Sequence, residues 1–261
     1  MLSLQSALPD VLPRFTPRKP RSVPSPREEA LLLLVAVQAG NEDEVRRCLD
    51  DARVDIEAAD KDGLTSLHLG CQAGNLELVS MLIEHGASVH ALSKAGRSPL
   101  YECCAHGQSE CLSLLLAVGA AFDEPRQNGA RPLAVACEAR RQGASMPYRA
   151  HASTPPASAL TPWVCTCPGT QYGHVECVRM LLSQGAEVDS EMFDGATPLF
   201  ISCESGHQAC ASLLLDHGAS ADKADKKGVT PLAVGRKNGN TACVTRLELA
   251  LARTELCTQT V

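Results

Sequence analysis

Residues 60–93, which read DKDGLTSLHLGCQAGNLELVSMLIEHGASVHALS, can be aligned with most of the chain that follows. Related four-residue blocks begin at Thr65, Ser98, Arg131, Thr197 and Thr230. Successive blocks are 33, 33, 66 and 33 residues apart. A supersecondary unit that recurs at this period cannot bury its apolar face alone, so the pattern predicts a stack of helical repeats.

The stretch resembles an ankyrin repeat. The resemblance is carried by Asp62-Gly63, Thr65-Ser66-Leu67-His68, Gly74-Asn75, Leu78-Val79, Leu82-Ile83 and Gly86-Ala87. It implies an all-α solenoid of about six repeats, each a pair of antiparallel helices joined to the next by a β-turn or hairpin loop. It also implies that His68 is a structural brace between neighbouring turns rather than a catalytic residue.

The register divides the chain into an array with a tail at each end. The predicted repeats are 28–59, 60–93, 94–126, 127–192, 193–225 and 226–253. Residues 1–27 are rich in proline and basic side chains, so we predict a disordered tail there. Residues 254–261 form a short C-terminal tail. The first repeat carries Leu31-Leu32-Leu33-Leu34, which is more apolar than an exposed end repeat needs, and the tail lying against it is one interpretation.

The fourth repeat is interrupted by residues 141–172. This segment holds five prolines, including Pro168, and we predict a disordered loop between the two helices of that repeat. A decayed whole repeat and a splice-derived insert are the alternatives.

Composition excludes several classes of function. The chain has 261 residues, a formal net charge of −6 and only 3% aromatic residues. An acidic chain is a poor general nucleic-acid binder, because that binding depends on a basic face. No apolar run reaches the roughly 18 residues of a membrane-spanning helix, so no membrane association is expected. No secretory signal is evident at the N-terminus, which favours the cytoplasm or nucleus.

The thirteen cysteines follow the repeat rather than a metal-binding pattern. One repeat position holds Cys71, Cys104, Cys137 and Cys203, and another holds Cys111, Cys177, Cys210 and Cys243. Cysteine in place of a small buried apolar residue predicts core packing and a reducing compartment. Cys165-Thr-Cys167 is an isolated C-x-C pair, so no metal is expected there.

No arrangement typical of catalysis is present. The chain lacks a nucleophile elbow, a phosphate-binding loop and a His-Glu-x-x-His motif. We therefore expect no catalytic residues, no cofactor and no small-molecule substrate.

The resemblance places partner binding on the turn tips and on the exposed sides of the first helices. We expect Arg97, His106 and Phe193 to matter most, and lysine-rich tips favour a protein partner with an acidic segment. The full set of candidate binding residues is Lys61, Asp62, Lys94, Arg97, His106, Asn128, Phe193, Asp194, Glu204, Lys226 and Lys237.

The functional prediction is a non-catalytic adaptor or scaffold that binds a partner protein in the ankyrin groove. A masking inhibitor or assembly chaperone is the alternative, and a nucleic-acid-associated regulator is less favoured. In the tail, Arg14-x-x-Pro17-x-x-Pro20 is typical of a ligand for an SH3 domain.

Overall fold

The computed structural model describes residues 26–51, 53–138 and 168–258. Twelve helices lie in this part of the chain: α1 Pro26–Ala39, α2 Glu42–Leu49, α3 Ser66–Ala73, α4 Leu76–Glu84, α5 Pro99–His106, α6 Ser109–Ala117, α7 Pro132–Glu138, α8 Pro168–Ser183, α9 Pro198–Ser205, α10 Gln208–Asp216, α11 Pro231–Lys237 and α12 Thr241–Thr258.

The helices form two layers. Each odd-numbered helix packs against the next odd-numbered one, each even-numbered helix packs against the next even-numbered one, and the two helices of a pair also touch. Buried apolar side chains run without a break from Leu33 in α1 to Leu247 in α12. This arrangement of six stacked helix pairs confirms the predicted all-α solenoid.

Helix boundaries follow from the repeated block. Ser98 and Thr197 each accept a hydrogen bond on the side-chain oxygen from a backbone N–H three residues on, at 3.2 Å in both cases. The proline that follows occupies the first helical turn, where its missing N–H costs nothing. α9 ends at Ser205 and is followed by Gly206, which adopts φ +79° without the penalty that a Cβ would impose.

The hairpin tips are shaped by aspartate and linked to each other. The Asp60 carboxylate accepts hydrogen bonds from the N–H groups of Asp62 at 2.8 Å and Leu64 at 2.9 Å. The Lys94 N–H in the next tip then donates to the Asp62 carbonyl at 3.1 Å. Backbone hydrogen bonds of this kind also join Phe193 to Asn128 and Lys226 to Asp194, so three pairs of adjacent tips are linked.

His68 joins a helix to the neighbouring tip. Its Nδ1 lies 3.2 Å from the N–H of Thr65 and 2.9 Å from the hydroxyl of the same residue, while Nε2 lies 2.9 Å from the Arg97 carbonyl oxygen. Nδ1 accepts the Thr65 N–H and Nε2 donates to the carbonyl in this arrangement. Burial lowers the pKa of His68, so the ring is neutral and acts as a structural brace.

The predicted interruption 141–172 needs a correction at its C-terminal end. Helix α8 begins at Pro168, so residues 168–172 are helical, and α8 packs against α7 as its pair. Pro168 is compatible with this helix because it lies at the first helical position. The remainder of the interruption, 141–167, lies outside the described residues.

The predicted tails also overlap helices. α1 begins at Pro26, two residues inside the predicted tail 1–27, and α12 continues to Thr258, five residues into the predicted tail 254–261. Residues 1–25, with the predicted SH3 ligand, lie outside the described residues.

The eight cysteines at repeated positions are buried and free of disulfides, as predicted. Cys71, Cys104, Cys137 and Cys203 have no exposed surface, and their counterparts in the even-numbered helices are at most 2% exposed. Cys103 is also buried, whereas Cys48 is half-buried. The side chains of Cys165, Cys167 and Cys257 lie outside the described residues.

We expect the buried thiols to resist alkylation in the folded protein. The thiolate is the reactive form, and burial raises the pKa of Cys104 well above 9 and that of Cys177 to about 12. A short pulse of N-ethylmaleimide followed by peptide mass spectrometry should label Cys48 in preference to these residues. Full labelling in guanidinium chloride is the control, and equal native labelling of Cys104 and Cys48 would contradict the packing.

Candidate functional site

The candidate site is the groove face, which we define as the hairpin tips before α3, α5, α7, α9 and α11 with the exposed sides of those helices. We number these tips second to sixth, after the repeats to which they belong. Of the predicted binding residues, all except Arg97 and His106 are exposed. Arg97 and His106 are half-buried, because both lie beside the side chain of Glu102.

Several predicted binding residues also hold the tips in shape. The Lys94 ammonium donates to the Lys61 carbonyl at 2.7 Å. The Asn128 amide oxygen accepts from the Ala130 N–H at 3.0 Å, and Asp194 makes the same type of bond in the next tip. A substitution at these positions therefore tests tip geometry as well as binding.

The remaining predicted residues are spread along the array. The Lys226 N–H donates to the Asp194 carbonyl at 2.9 Å, which places these two residues in adjacent tips. Glu204 and Lys237 lie exposed at the C-terminal ends of α9 and α11. The structure therefore does not gather the eleven candidates into one cluster.

Phe193 is an aromatic residue of the groove face and is 67% exposed. Its N–H lies 3.3 Å from the Asn128 carbonyl oxygen, which joins the fourth and fifth tips. Its ring lies over Gly129, where an added Cβ would come within 2.8 Å of the ring carbon Cδ1. One side of the residue thus lies against the Gly129 backbone while most of the side chain meets solvent.

Glu102 differs in chemistry from the residues at the equivalent position of the other odd-numbered helices. It is the fifth residue of its block, a position at which the other blocks carry apolar side chains that are at most 8% exposed: Leu69, Val135, Ile201 and Val234. Glu102 is itself only 1% exposed. A carboxylate thus occupies a core position between the helices that flank α5.

Arg97 and His106 converge on this carboxylate. Arg97 Nη1 lies 2.9 Å from Glu102 Oε1, and His106 Nδ1 lies 3.7 Å from Oε2. His106 Nδ1 is also 3.0 Å from the Glu102 carbonyl oxygen, and its Nε2 is 3.4 Å from the Gln72 amide nitrogen. Neither Glu102 carboxylate oxygen has a well-directed hydrogen bond, so charge attraction is its main compensation.

Burial dominates the protonation equilibrium of Glu102. Loss of solvent raises the pKa of this carboxyl, and the positive charges of Arg97, His106 and Arg126 oppose the shift without cancelling it. Removing a charge from water is expensive even when it is paired. The Glu102 cluster, meaning Glu102 with Arg97 and His106, is therefore a feature that stability alone does not require.

A second polar contact lies beside this cluster. The Arg126 guanidinium donates to the Tyr101 hydroxyl at 2.7 Å, and its central carbon lies 5.6 Å from the Tyr101 ring centroid. Both residues line an open cavity of about 400 Å³ between the third and fourth tips. Leu92, 58% exposed, lies at its edge. The cavity combines an apolar wall with a fixed guanidinium, a combination that suits a side chain from a bound protein.

Our sequence-based candidates did not include Glu102, Tyr101 or Arg126. Comparison of the fifth residue of every block would have marked Glu102 as the exception. The pairing of Tyr101 with Arg126 had no comparable signal, because it depends on how one tip folds over the preceding helix.

Among the described side chains, no group of three or more His, Cys, Asp or Glu is arranged to hold a metal ion. Within the same ranges, no helix combines the length and apolar character needed to cross a membrane.

The stacked helix pairs and the row of hairpin tips define a helical repeat solenoid. The family model for ankyrin repeats in three copies matches residues 169–250, and the model for ankyrin repeats in many copies matches 33–83 and 71–116. The chain belongs to the ankyrin-repeat family. Ankyrin repeats are generally protein–protein interaction modules and are typically non-catalytic.

Solved structures share the fold. The ankyrin repeat domain of human ASB11 superposes with a TM-score of 0.65 at 23% identity over 84% of this chain and 82% of that one. An ankyrin repeat domain from Acinetobacter baumannii AYE gives 0.62 at 27% identity, over 84% and 96% of the two chains. The ankyrin repeat protein EF0377 gives 0.63 at 22% identity, over 84% and 97%.

Two curated proteins are similar over shorter stretches. Delta-latroinsectotoxin-Lt1a of Latrodectus tredecimguttatus is 41% identical over 56 residues, which is 22% of this chain and 5% of the toxin. Protein phosphatase 1 regulatory subunit 27 of Mus musculus is 31% identical over 84 residues, 30% of this chain and 53% of the subunit. The matched regions thus span about half or less of these relatives.

Proposed function

We propose that this protein is a non-catalytic adaptor that holds a partner protein against the groove face, with the contact centred on the third to fifth repeats. The Glu102 cluster carries the proposal. A buried carboxylate at a position that is apolar in the other blocks costs stability, and a role in recognition accounts for its presence. The side chains of Arg97 and His106 are only partly buried and remain within reach of a partner.

Two further observations support a protein as the ligand. Phe193 is an exposed aromatic side chain on a backbone support, the type of residue that is enriched at binding hot spots. One relative is named as a regulatory subunit of protein phosphatase 1, which is consistent with a role in holding another protein. The free, buried cysteines favour a reducing compartment, so we place the adaptor in the cytoplasm or nucleus.

Charge suggests the nature of the partner segment. Lys61 and Lys94 are exposed in adjacent tips, and Lys226 is exposed in the sixth repeat. A partner with an acidic segment along the second and third tips would complement these ammonium groups.

We expect Phe193→Ala to weaken partner binding about tenfold or more, because truncation of an aromatic hot spot costs about 2 kcal/mol. Glu102→Leu should also weaken binding, since it removes the charge that orients Arg97 and His106. Quantitative affinity capture from cell lysate, with full-length protein as bait, would measure both effects.

Val118→Ala is the matched control, because Val118 is 47% exposed but follows the even-numbered helix α6, which is not part of the groove face. Its captured proteins should equal those of the wild-type chain. Retention of the same partners by both groove variants, with unchanged amounts, would refute binding at this surface.

A further inference from the structure

The first helix carries an exposed apolar face. In α1, Leu31 is 54% exposed, Leu32 is 47% exposed and Val35 is 61% exposed. The spacing of one, three and four residues places these side chains together on one side of the helix. We call this set the α1 face.

The α1 face lies where a preceding repeat would pack. Leu33 and Val37 of α1 have no exposed surface, and the helix packs on α2 and α3. An end repeat normally turns a polar surface to water, because nothing covers it. Three large apolar side chains on this surface therefore need an explanation.

The other end of the array exposes fewer large apolar residues among its described side chains. There Leu249 of α12 is 57% exposed, and Arg236 of α11 pairs with Glu248 of α12 at 2.6 Å. Helix α1 thus exposes three large apolar side chains, whereas the described side chains of α11 and α12 expose one.

The chain itself supplies a suitable cover. Residues 1–15 read MLSLQSALPDVLPRF and contain four leucines, a valine and a phenylalanine, but only one acidic and one basic side chain. Residues 16–25, TPRKPRSVPS, are by contrast basic and rich in proline. The apolar content is therefore concentrated at the far end of the segment, away from its attachment to α1.

Reach permits the contact. The segment joins α1 at Pro26, the first residue of the helix that bears the face. Ten connecting residues, 16–25, can extend about 33 Å at roughly 3.3 Å each. A 14-residue helix such as α1 is about 21 Å long. The connector can thus return residues 1–15 across the whole helix.

We propose that residues 1–15 pack on the α1 face and act as the N-terminal cap of the solenoid. A tethered segment has an effective concentration in the millimolar range, which a free partner does not reach without high affinity. A second copy of the chain fits the surface less well. Stable dimers bury about 800 Å² on each partner, far more than three partly exposed side chains offer.

The proposal is tested with full-length variants. The tail variant carries Leu4→Ser, Leu8→Ser and Leu12→Ser, and the face variant carries Leu31→Gln and Val35→Gln. Glutamine supports a helix about as well as leucine, so the face variant keeps α1. A third protein combines both sets, and Leu249→Gln is the control at the opposite end. Hydrogen–deuterium exchange of α1 and sedimentation at two protein concentrations are measured.

We expect backbone amides of α1 to exchange about tenfold faster in the tail variant than in the wild-type protein, because α1 then opens locally more often. The face variant should show the same increase, and the combined protein should show no further one. Leu249→Gln should leave α1 exchange unchanged.

Equal α1 exchange in the tail variant and the wild-type protein would overturn the proposal. Additive effects in the combined protein would do so as well, because the two sets would then act independently. If α1 protection and sedimentation both rise with protein concentration, a second copy covers the face instead of residues 1–15.

Discussion

Arg97→Met is expected to destabilise the protein by about 3 kcal/mol at neutral pH, because it leaves the carboxylate of Glu102 buried without its closest opposite charge. Glu102 is 1% exposed and Arg97 Nη1 lies 2.9 Å from it. His106 is farther away, at 3.7 Å, and compensates only in part. Urea denaturation followed by circular dichroism measures the change in the free energy of unfolding.

Glu102→Leu should act in the opposite direction, because it removes the fully buried charge and leaves Arg97, whose side chain is 27% exposed, in contact with water. The other blocks already carry apolar residues at this position. The double variant Arg97→Met/Glu102→Leu should therefore be more stable than Arg97→Met alone. Such a reversal would show that the loss arises from the unpaired carboxylate.

An exposed ion pair provides the control. Arg236 and Glu248 approach to 2.6 Å, but their side chains are 60% and 49% exposed. Arg236→Met should cost less than about 1 kcal/mol. If Arg97→Met and Arg236→Met have equal effects, the charge of Glu102 is not buried in solution.

The same pair gives a pH dependence with a defined sign. The pKa of Glu102 is raised in the folded protein from its ordinary value near 4.5, so the folded state binds the proton more tightly than the unfolded state. Its contribution to stability is complete below that ordinary value and is lost as pH rises through the raised pKa. The stability advantage of Glu102→Leu over the wild-type protein should therefore grow as pH increases across this interval.

Gly195→Ala is expected to destabilise the protein by about 3 kcal/mol, the sum of an unfavourable backbone conformation and a steric clash. Gly195 adopts φ +85°, and a Cβ at this position would come within 2.8 Å of the Lys226 backbone nitrogen. That nitrogen cannot move without breaking its 2.9 Å hydrogen bond to the Asp194 carbonyl. Urea denaturation would again measure the loss.

Gly228→Ala is the matched control for this clash. Gly228 lies at the same position of the next tip and adopts φ +79°, but no atom would lie within 4 Å of its Cβ. Alanine there should cost only about 1 kcal/mol, the conformational term alone. Equal losses in the two variants would mean that the contact between adjacent tips contributes nothing.

The fold was largely predictable because the structure of each repeat follows from its local sequence. The Thr-Pro-type blocks predict where the odd-numbered helices begin, and the recurring cysteines identify buried positions. The start of α8 was not predicted. Pro168 was assigned to an interrupted segment, whereas it begins the helix that pairs with α7.

The candidate site was less predictable, because its central feature is the burial of Glu102, which depends on the neighbouring helices. Arg97 and His106 were predicted as partner-binding residues, and the structure places both beside Glu102, which sequence reasoning had not selected. The carboxylate is buried since α3 and α7 pack on both sides of α5. Burial of that kind depends on neighbours about 33 residues away in either direction.

The sequence by itself determined the repeat period, the helical solenoid and the buried positions, because these follow from local patterns of apolar, capping and turn residues. Only the tertiary structure decided which polar residues are desolvated, which tips touch and which apolar face lies outside the packing between repeats. Phe193 and Gly129 meet across 64 positions, and the repeats leave Leu31 and Val35 unburied because no described repeat precedes them. Desolvation and contact are set by packing between repeats, which no single repeat encodes.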